Sequence, residues 1–289
     1  MIHQKNRSRN RKQLISKIQE SYQKRGFKHL LKSVIKETVK HSNYNLNLFR
    51  YKIFKSNSTF RFQGADYRYF YHRYNITWRN ERAVEIPIIW KLIEEGRGKK
   101  ILEVGNVLSH YYPVSHDVID KYEDEDGVIV KDIVDYRPNK KYDLIVAIST
   151  IEHIGWDEIP RESGKIFQAI ENMRNLLSRN GKIVMTLPLG YNPEIDRMLR
   201  DAKIGFTEMH CMKRISADNS WVEANWNDIR NSKFYDPFPG ANGLVIGVIS
   251  EMDTVSSLKE TVISTTRHII EVRHSKPKRK ISELPILQH

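Results

Sequence analysis

Between residues 99 and 190 short apolar runs alternate with polar turns. ILEVG (101–105), HDVID (116–120) and YDLIVAIST (142–150) are rich in Ile and Val and run into polar or acidic residues. Runs of that length bounded by charge predict buried parallel strands. A fourth run, KIVMTLPLG (182–190), follows a stretch in which Ile166, Ile170, Met173, Leu176 and Leu177 recur at helical spacing. Asn180-Gly181 reads as the stop of that helix. Beyond it the pattern predicts a short helix over 192–201 with Pro193 near its start, and two final strands, FTEMHCMKRI (206–215) and GLVIGVIS (243–250). A long loop between these strands carries Trp221, Asn225, Trp226 and FYDPFPGAN. The expected architecture is an α/β domain over 99–252 with a mostly parallel sheet.

Upstream, apolar positions from Leu14 to Val39 have helical spacing interrupted by Gly26, predicting two short amphipathic basic helices in an extension over 1–45. They suit a membrane-surface or polyanion contact, and equally an arm packed on its own domain, the reading favoured because Trp is absent there. Residues 46–98 hold the aromatic and Arg-rich runs FRYKIF, FRFQ and YRYFYHRY, then a helix through Val84, Ile88, Ile89, Leu92 and Ile93, with Pro87 disturbing its first turns. Interleaved rings and arginines can stack on single-stranded nucleic acid. Rings packed under arginine stems are the favoured reading. Tyr74, Asn75, Trp78, Asn80, Glu81 and Arg82 are candidates to line a pocket. A Ser/Thr-rich, then basic tail covers 253–289, with one strand expected over 266–272.

Composition narrows the picture. The chain has 289 residues and a net charge of +13, and twelve Lys or Arg against Glu20 and Glu37 place most of the excess in residues 1–40. The charge therefore sits mainly outside the sheet. Cys211 is the single cysteine, which excludes an intrachain disulfide and a cysteine-based zinc site, and no metal site is expected. No apolar run approaches the ~20 residues of a membrane span, and no signal-peptide pattern opens the sequence, so a soluble, cytoplasmic protein is expected.

In an open α/β sheet the ligand crevice lies beyond the carboxyl ends of the strands. Glu103 with Gly105, Asp120, Asp132 and Ser149 fall at that edge. Glycine after the first strand permits close backbone approach, and an acid at the end of the second can accept from both hydroxyls of a ribose. Asn106, Val107, Leu108 and Ser109 follow Gly105, so the glycines of a dinucleotide fingerprint are missing, and no phosphate-binding P-loop is present.

Residues 99–190 resemble the class I S-adenosylmethionine-dependent methyltransferases. ILEVGN stands for the first motif, HDVID for the ribose acid, VIVKDIVDY for the adenine-side loop, YDLIVAISTIEHIG for strand four with its Glu-His pair, and GKIVMTLPLG for strand five. The resemblance implies a Rossmann-like sheet of seven strands and S-adenosylmethionine as cofactor. Glu103 and Gly105 would meet its methionine part, with Asn106 beside them, Asp120 its ribose, and Asp132 with Ile133 its adenine. Ser149 would lie near the amino group. Two departures stand out. The first motif lacks its later glycines, and residues 105–115 are too few for the usual crossover helix, so 106–112 is expected to form a loop over the cofactor.

For a hydroxyl acceptor a base is needed, and His153 and His110 are the candidates, beside a residue of the later loop or an acceptor that needs no base. Tyr191, Asn192, Arg214 and Trp221 are the candidate substrate residues. STIE replaces the [DNS]PP[YFW] tetrapeptide that holds a flipped amino base, which disfavours DNA amino-methylation. The resemblance is to the compact group that modifies sugars and cell-surface glycans, and it implies O-methylation of a small molecule or saccharide. An RNA- or polyanion-directed enzyme using the basic arm, with nucleic acid or peripheral membrane as partner, and a non-catalytic scaffold of the same fold are the alternatives.

Overall fold

The computed structural model describes residues 46–250. The basic arm, the tail and the strand expected over 266–272 lie outside the described residues. The described chain opens in a helix at 46–54 (α1) and turns into a hairpin, β1 (Thr59–Phe62) and β2 (Ala65–Arg68). Gln63 and Gly64, both with positive φ, make its two-residue turn, which suits the twist of paired strands. The rings pack as expected: Phe60 stacks on Tyr67 at 5.5 Å and tilts against Tyr69 at 5.0 Å.

The sheet is built from β3 (Ile101–Val104), β4 (Asp117–Asp120), β5 (Val128–Val130), β6 (Tyr142–Ile148), β7 (Leu177–Pro188), β8 (Glu208–Arg214), β9 (Trp221–Ala224) and β10 (Gly243–Ser250). Their order is β5-β4-β3-β6-β7-β10-β8-β9. Strands β5 to β7 in that order are parallel, while β10 runs antiparallel between β7 and β8. The sheet has eight strands where seven were expected. The extra one is β9, antiparallel on the outer edge of β8, in a segment read from sequence as loop. A four-residue strand carries too little alternation to stand out in sequence.

Strand side chains alternate between two buried faces. Leu102, Val104, Ile145, Ala147, Ile183 and Met185 join one core with α3 (Lys165–Asn175) and α4 (Pro193–Arg200). Ile101, Leu144, Val146, Ile148, Val184 and Ile246 join the other with α2 (Arg82–Glu95) and the hairpin. Burial on both faces explains why the strands read as continuous apolar runs.

Pro87 lies in the early turns of α2 and disturbs its hydrogen bonding, as expected. The Ala83 carbonyl, deprived of the i+4 amide that proline lacks, accepts from Phe70 N–H at 2.9 Å instead. Asn180-Gly181 does not stop the helix, which ends at Asn175; it forms an irregularity within β7 where pairing with β6 slips between Tyr142 and Leu144. Asn180 takes φ 63°, and a Cβ on Gly181 would lie 2.8 Å from the Tyr142 carbonyl.

Candidate active site

A cavity of about 460 Å³ opens at the carboxyl ends of β3, β4 and β6. Here the chain, having gone out through β4 and β5, returns to lay β6 on the other side of β3, the switch point where open sheets bind ligands. Gly105, Asn106, His110, Asp120, Asp132, Ile133, Ser149 and His153 all line it. The crossover after β3 carries only a short 3-10 turn, Leu108–His110, and its loop edges the cavity as expected.

Gly105 takes φ +86°, and a Cβ there would lie 2.3 Å from Thr150 Oγ1. The turn after β3 thus passes directly against the turn after β6. Asp120 at the end of β4 accepts from Tyr122 N and Glu123 N through Oδ1 and from Asn106 N through Oδ2. A carboxylate offers about four acceptor positions, so one remains on this group. Glu123 also lines the cavity and accepts from Asn106 Nδ2 at 2.7 Å. Asp120 and Glu123 together present two carboxylates to a diol. In the sequence Glu123 belongs to an acidic run, and nothing local separates it from surface charge.

The opposite corner holds an ion cluster. Asp132 Oδ2 lies 2.9 Å from Lys165 Nζ and 3.0 Å from Lys121 Nζ, and both lysines also meet Glu158. Burial opposes ionisation of Asp132 and Glu158, but the ammonium groups outweigh it and hold both carboxyls below the ordinary range. Asp132 is also the N-cap of the turn Ile133–Asp135, taking Val134 N–H on Oδ1.

Beneath the cavity lies a second, drier group. Ser149, with φ 40°, donates to Glu85 Oε1. Arg82, which lines the cavity, donates from Nη1 to Glu85 Oε2 at 3.1 Å and to the Ile148 carbonyl at 2.9 Å. Glu152 is buried, and its Oε2 has no hydrogen-bond partner among the described residues. Burial pushes the Glu152 carboxyl well above its ordinary value, and raises Glu85 despite Arg82. Of the pocket candidates before α2, Tyr74, Asn75 and Arg82 line the cavity. Trp78 is buried, Asn80 Nδ2 donates to the Asn75 carbonyl, and Glu81 accepts from Ala241 N.

The two histidines differ in surroundings. His153 Nδ1 lies 2.6 Å from Asp157 Oδ2, which also accepts from Tyr191 Oη at 2.7 Å. With Nδ1 carrying the proton toward Asp157, Nε2 keeps its lone pair. His110 instead stacks on Tyr74 at 4.2 Å with Nε2 3.2 Å from Glu123 Oε2, which ties it to the acidic end of the cavity.

Five expected site residues do not line the cavity. Glu103 is wholly buried; its Oε1 accepts from Val107 N and Leu108 N, and its Oε2 lies 2.8 Å from His116 Nε2. It shapes the loop that lines the cavity rather than touching a ligand. Asn192 caps α4 through Glu194 N–H and donates to the Glu152 carbonyl. Arg214 is buried and its guanidinium ties the carbonyls of Arg79, Pro239 and Ser216 together. Trp221 is buried under the hairpin, its Nε1 donating to Asn219 Oδ1. Tyr191 stands at the rim through His153 and Asp157.

No family model matches this chain, and no curated protein matches it. Among solved structures it is similar to the N-methyltransferase NodS from Bradyrhizobium japonicum WM9 in complex with S-adenosyl-L-homocysteine, at 13% identity over 57% of this chain and 85% of that one, TM-score 0.36. It is also similar to a TehB-like SAM-dependent methyltransferase from Corynebacterium glutamicum, at 20% identity over 56% and 86%, TM-score 0.34. A glycopeptide N-methyltransferase, MtfA, with S-adenosyl-L-homocysteine matches at 7% identity over 56% and 88%, TM-score 0.35. The sheet is mostly parallel, as the sequence resemblance implies, with eight strands in place of seven and β10 reversed between β7 and β8. The fold itself is a Rossmann-like, mostly parallel α/β sheet with its cavity at the switch point. Among the described residues no helix is long and apolar enough to cross a membrane.

Proposed function

We propose that the protein is an S-adenosylmethionine-dependent methyltransferase acting on a hydroxyl of a small molecule or saccharide. The observation that carries this reading is that Gly105, Asp120, Asp132 and Ser149, spread over four strand ends, line one cavity together with His153 backed by Asp157. The residues fit the cofactor's chemistry. Asp120 and Glu123 suit the ribose diol, Ile133 and Asp132 an adenine with its amine, and Arg82 is placed for the methionine carboxylate.

S-adenosylmethionine supplies an electrophilic methyl group on a positively charged sulfur. The chain's own task is to bring an acceptor oxygen in line with that methyl and to take its proton. His153 Nε2 is the group that accepts the proton. Asp157 holds the ring orientation and stabilises the charge that develops on the imidazole. An amine that arrives unprotonated already carries a nucleophilic lone pair, whereas a hydroxyl must give up its proton as it is methylated, so a buttressed base suits a hydroxyl.

Calorimetry with S-adenosylmethionine tests the cofactor. Micromolar binding lost in Asp120→Ala supports the enzyme reading, while no heat at millimolar ligand sinks it in favour of a non-catalytic scaffold. Mass spectrometry of products formed with methyl-labelled cofactor and saccharide extracts then tests the acceptor.

A further inference from the structure

Beyond the cavity mouth, aromatic rings continue to the surface. His153 meets Tyr191 at 4.7 Å, Tyr191 meets Phe234 at 5.2 Å, and Phe234 meets Tyr235 at 4.6 Å between centroids. Tyr191 and Phe234 are half-buried, whereas Tyr235 is 70% exposed. Tyr235 also takes φ +66°, a left-handed conformation that a bulky side chain adopts at a cost.

The loop that displays these rings is firmly held. Asn242, buried, donates to the carbonyls of Lys233, Phe238 and Gly240, while Arg214 donates to the Pro239 carbonyl. Tyr235 N–H is fixed on the Gly240 carbonyl at 2.9 Å. At its other side the loop presses on Gly190, where a Cβ would lie 2.5 Å from Phe234 N. A rigid scaffold that holds one tyrosine strained and turned outward spends stability on something other than the fold. Strain of this kind clusters at ligand clamps, and ligand sites combine aromatic surface with few, well-placed polar groups.

We propose that the Tyr191–Phe234–Tyr235 ladder is a saccharide-binding subsite, which stacks on the apolar face of the sugar unit next to the one presented to His153. This rests on the methyltransferase reading above. The charges beside the rings favour a neutral polyol over a polyanion. Asp157 accepts from Tyr191 Oη and Asp236 follows Tyr235 in the chain, while Lys233 is paired with Asp236 at 3.7 Å and Arg161 near Asp157 is stacked on Trp156. Carboxylates at these positions accept from sugar hydroxyls and repel phosphodiesters. Continuity with the cavity makes the acceptor an oligosaccharide or glycoconjugate that reaches the base at one residue and rests on the loop with its neighbour.

The test uses the full-length protein saturated with S-adenosylhomocysteine and saturation-transfer NMR with cellotetraose, maltotetraose and chitotetraose. Transfer to the ring protons of at least one tetrasaccharide is expected, with affinity about tenfold weaker in Tyr235→Gly, the scale of losing one aromatic anchor. Because glycine relieves the positive φ, the same variant is expected to melt no lower than the parent. A purely structural Tyr235 would show the opposite: a lower melting temperature and unchanged saccharide signals, which overturns the proposal. Absence of transfer to all three saccharides also overturns it, as does preferential transfer to a single-stranded RNA oligonucleotide. Failure of the parent protein to bind S-adenosylhomocysteine in calorimetry would instead locate the error in the methyltransferase reading.

Discussion

Asp157 Oδ2 receives two hydrogen bonds from the same side of the cavity, His153 Nδ1 at 2.6 Å and Tyr191 Oη at 2.7 Å. Burial works against ionisation of this carboxyl, yet Tyr191 and His153 outweigh it and hold Asp157 below the ordinary carboxylate range. It is therefore an anion throughout neutral pH, and the imidazole beside it is oriented and charge-stabilised. Asp157→Asn is expected to lower kcat by about 10- to 100-fold, the usual effect of losing such a supporting partner. The KM for S-adenosylmethionine should not change, because Asp157 acts through His153. Steady-state kinetics separate these quantities, and an unchanged kcat would remove His153–Asp157 as the base.

Asp120→Asn tests the cofactor end. The carboxylate serves three backbone amides, and the amide side chain keeps only one acceptor oxygen. Losing charged hydrogen bonds of about 1.5–3 kcal/mol corresponds to S-adenosylmethionine binding weaker by about 10- to 100-fold. Titration calorimetry checks this. Glu123→Gln should weaken binding less, since it leaves the turn after β4 intact.

Gly105 and Thr150 form a pair that fails and recovers together. Gly105→Ala imposes a left-handed backbone cost of about 1–2 kcal/mol and places Cβ within 2.3 Å of Thr150 Oγ1. Lower melting temperature and loss of cofactor binding are expected. Thr150→Gly in the same chain removes the steric part and leaves the φ cost, so stability should return in part. Full recovery, or none, would contradict this division.

The carboxyls around the cavity carry opposite pH signs. Asp132 and Glu158 have native pKa values below their unfolded ones, so their stabilisation is complete above the unfolded carboxylate range. It is lost as pH falls through the lowered values. Lys165→Met should remove about 1–3 kcal/mol at neutral pH, between the exposed and buried limits for ion pairs, and flatten the acid limb of stability. Glu152 is raised, so the native state holds a proton that the unfolded chain has released, and stability declines as pH rises above the unfolded value. Glu152→Gln should therefore stabilise the protein at neutral pH but not at acid pH. Urea titrations at both pH values give the comparison.

The succession of short apolar runs and polar turns determined the parallel strands, their order of appearance and the side chains at their carboxyl ends. Those features depend on the length and flanks of each run, which the run carries by itself. Gly105, Asp120, Asp132 and Ser149 could be placed at the strand ends for that reason, and all four line the cavity.

What only the tertiary structure decided is which polar groups face the cavity and which hold the fold. Arg214 is as polar in sequence as Arg82, but its partners are carbonyls as distant as Arg79, 135 residues earlier. Glu103 sits in the first motif but is taken up by Val107, Leu108 and His116, while Glu85 is paired to Ser149 across 64 residues of chain. A buried polar atom must find a partner wherever packing brings one, and that choice is made between elements far apart in sequence. The polar residues that bound an apolar run fix where the strand's carboxyl end lies. Only the packed sheet fixes what waits there.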